Sequence, residues 1–193
     1  MHTFSFKNNI FIIYFIKFIS IFCLLYFGTI ALIGLVNPGG GYYFSFLNKY
    51  FNYISWLRSS LLFATKLLFS FIGITVYNKN IYTISILNGS SLHIVYSCLG
   101  YGVMSFWAAF VLANDGSILK KIQWLFFGLF IIWAINVFRL FLFLLALNNK
   151  WSIPFGLNHH TLFTVFAYCG IFIMIYFFDR SNNKNLKAHH DFT

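Results

Sequence analysis

A cysteine, an arginine and a pair of histidines are the residues of this sequence best suited to chemistry. Cys98 stands in Ser91-Leu-His-Ile-Val-Tyr-Ser-Cys98-Leu-Gly-Tyr-Gly102, where an alternating, extended stretch stops and a long apolar run begins. At the start of a helix, with Ser97 before it as a cap, a cysteine feels the positive end of the backbone dipole, which favours thiolate. Arg139 stands in Trp133-Ala-Ile-Asn136-Val-Phe-Arg139-Leu-Phe-Leu, inside an apolar run where an ionisable side chain is costly and therefore a functional-site hypothesis. Asn136, three residues earlier on the same helical face, is placed to orient the guanidinium. His159 and His160 follow Leu157-Asn158 at the start of the last apolar run. A thiolate attacks a carbonyl, a histidine takes the thiol proton and returns it to a leaving amine, and an arginine stabilises the thiolate or the oxyanion. That is acyl transfer.

Each residue also has a plainer reading. Arg139 can snorkel to headgroups, Asn136 can bridge helices, the histidine pair can anchor an interface, and His93 on a strand can serve packing or the surface. Taken alone, Cys98 would read as a packing residue, as Cys23 and Cys169 inside apolar runs do. The case for a site is that Cys98, Arg139 and one of the two histidines map to one depth and one side of a membrane.

The elements that set that depth follow from composition. The 193-residue chain is 60% hydrophobic and 23% aromatic, with only 8% charged residues, against about 25% charged in average soluble domains. Apolar runs that approach or exceed the roughly 20 residues of a bilayer span indicate an all-α polytopic membrane protein forming one membrane domain. The formal charge of +10 is scattered or flanks apolar runs, so it points to topology and anionic lipid, with no nucleic-acid partner. Three cysteines without C-x-x-C spacing indicate neither a disulfide framework nor a metal site, and no cofactor is called for.

In chain order, residues 10–36 are expected to form the first span, retained rather than cleaved, ended by Asn37-Pro-Gly-Gly-Gly41. Residues 42–76 are apolar but interrupted by Asn48, Lys49, Asn52, Arg58 and Lys66, a pattern of amphipathic interfacial helices, with a short span over 61–76 as the alternative. Residues 81–97 read as a β-hairpin about Asn88-Gly89, with Ile81–Leu87 and Leu92–Tyr96 as its strands. Spans are expected over 98–114, 122–147 and 160–178, with a basic tail at 179–193. The positive-inside rule puts Lys7, Lys120-Lys121 and the tail in the cytoplasm. Parity then gives about four spans, with the interfacial helices, the hairpin and Cys98 on the outer face. Arg139 lies roughly 18 residues past the lysines, about 27 Å along the helix and level with Cys98.

Tyr96-Ser-Cys98-Leu-Gly, Asn136-Val-Phe-Arg139 and Asn158-His-His160-Thr-Leu-Phe, in this order after a hairpin, resemble the exosortase/archaeosortase family, in particular its compact Bacteroidetes-type members. The resemblance covers about residues 81–178. It implies a membrane-embedded cysteine protease/transpeptidase of the bacterial cytoplasmic membrane, with Cys98 as nucleophile, Arg139 as the essential arginine and His160 as the histidine; His159 is a substitute. The implied substrates are exported proteins with a C-terminal sorting signal of short motif, transmembrane helix and basic tail. They would be cut near the outer face through a thioacyl intermediate. The chain is shorter than the typical eight-span members. The alternatives are a non-enzymatic small membrane subunit of a polysaccharide-export or surface-assembly system, and a metal or haem carrier using the histidine pair with Cys98.

Overall fold

Long runs of Phe, Ile and Leu, unbroken by proline, leave the backbone no partner in an apolar medium other than itself, and they form helices. The computed structural model describes residues 6–37, 43–151, 165 and 168–181, with side chains from residue 11 onward. Among the described residues the protein is mostly helical, with a small three-stranded sheet. Its elements are α1 (Phe6–Val36), α2 (Ser45–Tyr50), α3 (Tyr53–Phe71), β1 (Val76–Asn80), β2 (Thr83–Ile86), β3 (Ser91–His93), a single 3-10 turn (Tyr96–Leu99), α4 (Tyr101–Ala113) and α5 (Ile118–Asn148). Residues 168–181 are helical too. Among the described residues two helices are long and apolar enough to cross a bilayer, α1 over Phe11–Val36 and α5. Helix α4 has 13 residues, about 20 Å against a hydrocarbon core of about 30 Å.

The chain divides into two units. In the first, Met1–Asn48 with Tyr101–Phe130 and Tyr176–Thr193, α1 packs along α4. The seam is an aromatic ladder at i, i+4 spacing: Tyr14, Phe18, Phe22 and Tyr26 stack with centroids 6.5, 6.2 and 5.5 Å apart. Phe106 of α4 meets Phe18 edge-on at 5.3 Å, and Tyr101 stacks on Tyr26 at 5.7 Å. Lys17, which interrupts the apolar run of α1, reaches Asp115 at 3.9 Å. Trp107 is sealed in this core and donates its indole N–H to the Trp124 carbonyl at 3.2 Å. It lies against Gly128, where any Cβ would overlap the indole.

The second unit comprises Lys49–Gly100 and Ile131–Ile175. Asn52 caps α3 by accepting from the Ser55 amide at 3.0 Å, and Gly73, at φ 73, closes its far end, where the Ile74 amide bonds back to the Phe69 carbonyl. The buried face is Ile54, Arg58, Leu61, Leu62, Thr65 and Phe69, a helical period, while Trp56, Phe63 and Lys66 are exposed. Helix α3 meets the part of α5 within this unit through Phe69 and Phe141, 4.7 Å between centroids, and through the Trp133 indole N–H donating to Ser60 Oγ at 3.1 Å.

The expected hairpin is there, but as two strands of three. The antiparallel order is β1-β2-β3, with Ile84 opposite both Asn78 and Leu92. All four residues of β2 are buried, as a central strand's are. Strand β1 is not among the expected elements, because Val76-Tyr-Asn-Lys-Asn80 has too little alternating hydropathy to announce an edge strand; only Val76 of the five is buried. The return strand stops at His93, three residues short of expectation, since Tyr96–Leu99 coils into the 3-10 turn closed by the Cys98 amide on the Val95 carbonyl at 2.9 Å. The Asn88-Gly89 turn places Asn88 at φ 58, a conformation asparagine tolerates.

Residues 42–76 hold α2, α3 and the start of β1 where interfacial helices were expected. The run expected at 122–147 begins a turn earlier, so Lys120 and Lys121 are inside α5. The last expected span, 160–178, lies partly outside the described residues, and its described portion continues in helix to residue 181.

Candidate functional site

The turn carrying Cys98 differs from the capped helix start expected of it. Val95 precedes the turn with no side-chain cap, Ser97 is exposed, and Gly100 at φ 76 separates the turn from α4. Cys98 is therefore off the N-terminus of α4. The dipole argument for its reactivity falls away, because a helix-end field acts over the first turn only.

What holds the turn is α5. Arg139 Nη2 donates to the Cys98 carbonyl at 3.4 Å, and Asn136 Nδ2 donates to the next carbonyl, that of Leu99, also at 3.4 Å. Side chains one helical turn apart thus grip two successive carbonyls 37 and 41 residues away in sequence. Both bonds are long, at the weak end of the N–H to oxygen range, and only that of Asn136 lies where water competes little. Asn136 is 4% exposed and Leu99 is fully buried, while Cys98 and Arg139 are half-buried. Gly100 completes the arrangement, since an added Cβ would collide with Asn136 Nδ2. Asn136 was expected to orient the guanidinium; it secures the backbone beside the cysteine instead, because its reach from α5 ends on Leu99.

Among the described residues the Cys98 carbonyl is the one hydrogen-bond acceptor of Arg139. A guanidinium has five N–H donors in a planar fork, so the same group can hold the turn and keep further donors for another acceptor. Cys98 is a free cysteine, as are Cys23 and Cys169. His159 and His160 lie outside the described residues, so the expected base has no described geometry. His93 points its Nδ1 at Thr83 Oγ1, 3.1 Å away, and is exposed on β3. Among the described residues no three His, Cys, Asp or Glu side chains gather where they could hold a metal.

Arg58 is the residue that sequence reasoning passed over as an interruption in an amphipathic helix. It is 3% exposed, with its guanidinium carbon 4.4 Å from the centre of the Tyr82 ring and 4.6 Å from that of Tyr96. Nε and Nη2 are buried without a hydrogen-bond partner among the described residues. Its signal in the sequence was its phase: residues 54, 58, 61, 62, 65 and 69 share one helical face on which it is the lone charge.

Compared with protein-family models, with curated proteins and with solved structures, the chain matches none.

Proposed function

We propose that this protein is a membrane-embedded cysteine peptidase or transpeptidase of the exosortase kind, acting at the outer face of a bacterial cytoplasmic membrane. The observation that carries the reading is the bond from Arg139 to the carbonyl of Cys98. Two residues singled out in sequence for their chemistry, 41 positions apart, meet within one unit. In this reading the chain crosses the membrane four times, with Lys120-Lys121 in the cytoplasm and the Cys98 turn and sheet outside.

The chemistry proceeds from there. A histidine, His160 or its neighbour His159, takes the Cys98 proton, and the sulfur attacks the scissile carbonyl of an exported protein's sorting signal. Free N–H groups of Arg139 stabilise the tetrahedral oxyanion. The C–N bond breaks as the amine takes the proton back, leaving a thioester on Cys98 that an acceptor nucleophile or water resolves. The exposed aromatic residues of α3 and its flanks, Tyr53, Trp56 and Phe63, suit a headgroup-level surface on which such a signal would be met.

The test is processing of an exported protein that ends in a short motif, a transmembrane helix and basic residues, in cells carrying Cys98→Ala, Arg139→Ala or His160→Ala. Each is expected to leave the signal uncut, with Arg139→Lys retaining a fraction of activity because lysine supplies charge without the fork. Normal processing in Cys98→Ala cells overturns the reading.

One observation favours a second reading, a non-enzymatic membrane subunit: the atom Arg139 grips is a backbone oxygen, which a structural strut would also choose. On that reading Cys98→Ala is silent while Arg139→Ala destabilises the fold.

A further inference from the structure

The Cys98 turn also meets a second cation, Arg58, which has no carboxylate partner among the described residues. The second unit, residues 49–100 and 131–175, carries Lys49, Arg58, Lys66, Lys79, Arg139 and Lys150 and no Asp or Glu in its sequence; the acids among the described residues, Asp115 and Asp179, belong to the first unit. A buried guanidinium normally needs a paired anion. Arg58 has instead two tyrosine faces, at 4.4 and 4.6 Å, whose quadrupoles attract a cation most strongly when water is excluded. Its Nε and Nη2 are sealed from solvent, with no hydrogen-bond partner among the described residues.

The two rings are informative by their positions. Tyr82 sits between β1 and β2, held by its amide on Asn80 Oδ1 at 2.9 Å. Tyr96 opens the 3-10 turn and lies two residues before Cys98. Arg58 therefore joins α3, the sheet and the turn at one point. With Asn136 and Arg139 gripping the carbonyls of Leu99 and Cys98, the four-residue turn is fixed at its start by a cation–π stack and at its end by hydrogen bonds. We propose that Arg58 is a positioning residue that fixes the Cys98 turn through its stack between Tyr82 and Tyr96. The functional weight of this rests on Cys98 being the nucleophile; the positioning itself is a property of the turn and is measured without turnover.

The measurement uses the full chain in phospholipid nanodiscs with Cys23→Ser and Cys169→Ser, so that maleimide alkylation reports Cys98 alone. Arg58→Met is expected to raise the alkylation rate about tenfold. Arg58→Lys, which keeps a cation over the rings, should stay within about threefold of the parent. Tyr96→Phe should match the parent, Tyr96→Leu should match Arg58→Met, and the double variant Arg58→Met/Tyr96→Leu should be no faster than either single change, since each removes the same stack. A companion chain in which Cys23 is the sole thiol should alkylate at an unchanged rate in every variant.

Equal rates in Tyr96→Phe and Tyr96→Leu overturn the proposal, and do so even if Arg58→Met fails to fold. Effects that multiply in the double variant, or a matching rise at Cys23, overturn it as well, because they indicate independent or global loosening. If Cys98→Ala leaves sorting signals processed while Arg58→Met still exposes Cys98, the enzymatic reading falls and the positioning role stands. If Cys98→Ala abolishes processing while Arg58→Met leaves alkylation and turnover unchanged, only the positioning role falls.

Discussion

Replacing Gly100 with alanine tests the geometry beside Cys98 most directly. Gly100 has φ 76, and a residue with a Cβ costs about 1–2 kcal/mol more than glycine in that left-handed region. The new methyl would also overlap Asn136 Nδ2, so the amide must swing away from the Leu99 carbonyl it now meets at 3.4 Å. Both groups are buried, and leaving them unpaired costs about 1–3 kcal/mol. Gly100→Ala should therefore lose about 2–5 kcal/mol in total. The assay is reversible unfolding in mixed micelles by SDS titration, followed by tryptophan fluorescence. The decisive comparison is with Asn136→Ala, which removes the colliding amide. In Gly100→Ala/Asn136→Ala the methyl has room, so the double variant should be more stable than the sum of the singles by about 1–2 kcal/mol. Strict additivity, or a neutral Gly100→Ala, would refute the claim that Asn136 and the glycine are mutually fitted around the Cys98 turn.

Two further substitutions probe the units separately. Gly128→Ala should drive the Trp107 indole off its seat and break its bond to the Trp124 carbonyl; a loss of about 2–4 kcal/mol is expected from overpacking plus an orphaned indole N–H, read as a lowered unfolding midpoint and a red-shifted tryptophan emission. Asn148→Ala removes the acceptor of the Ser90 amide, 3.3 Å away, leaving the Ser90 hydroxyl on the Leu147 carbonyl; a loss of about 1 kcal/mol should appear as faster hydrogen exchange confined to the Leu87–Ser90 turn.

The parts of the fold that were legible in sequence are those whose cause is local. Apolar length marks α1 and α5, because a run of Phe, Ile and Leu with no acid in it has the same consequence wherever it lies. Asn88-Gly89 marks a tight turn, because it takes a positive φ that few other residues accept. Strand β1 was hidden because an edge strand with one buried residue owes its existence to β2 rather than to its own pattern. The 3-10 turn was hidden because Tyr-Ser-Cys-Leu suits a helix start equally well; Gly100, at φ 76, is what detaches it.

The same division holds at the site. That Cys98 and Arg139 belong together could be argued from sequence, since counting residues along a helix gives an expected depth and the positive-inside rule an expected side. Depth and side do not say which atoms meet. Only the tertiary structure decided that Arg139 grips the Cys98 carbonyl, that Asn136 serves Leu99 instead of the arginine, and that Arg58 is buried between two tyrosines. Those outcomes depend on how α3, α5 and the sheet are rotated and spaced against one another. That rotation is settled by packing among residues far apart in the chain, Phe69 on Phe141 and Trp133 on Ser60 among them, and no single stretch of sequence contains it.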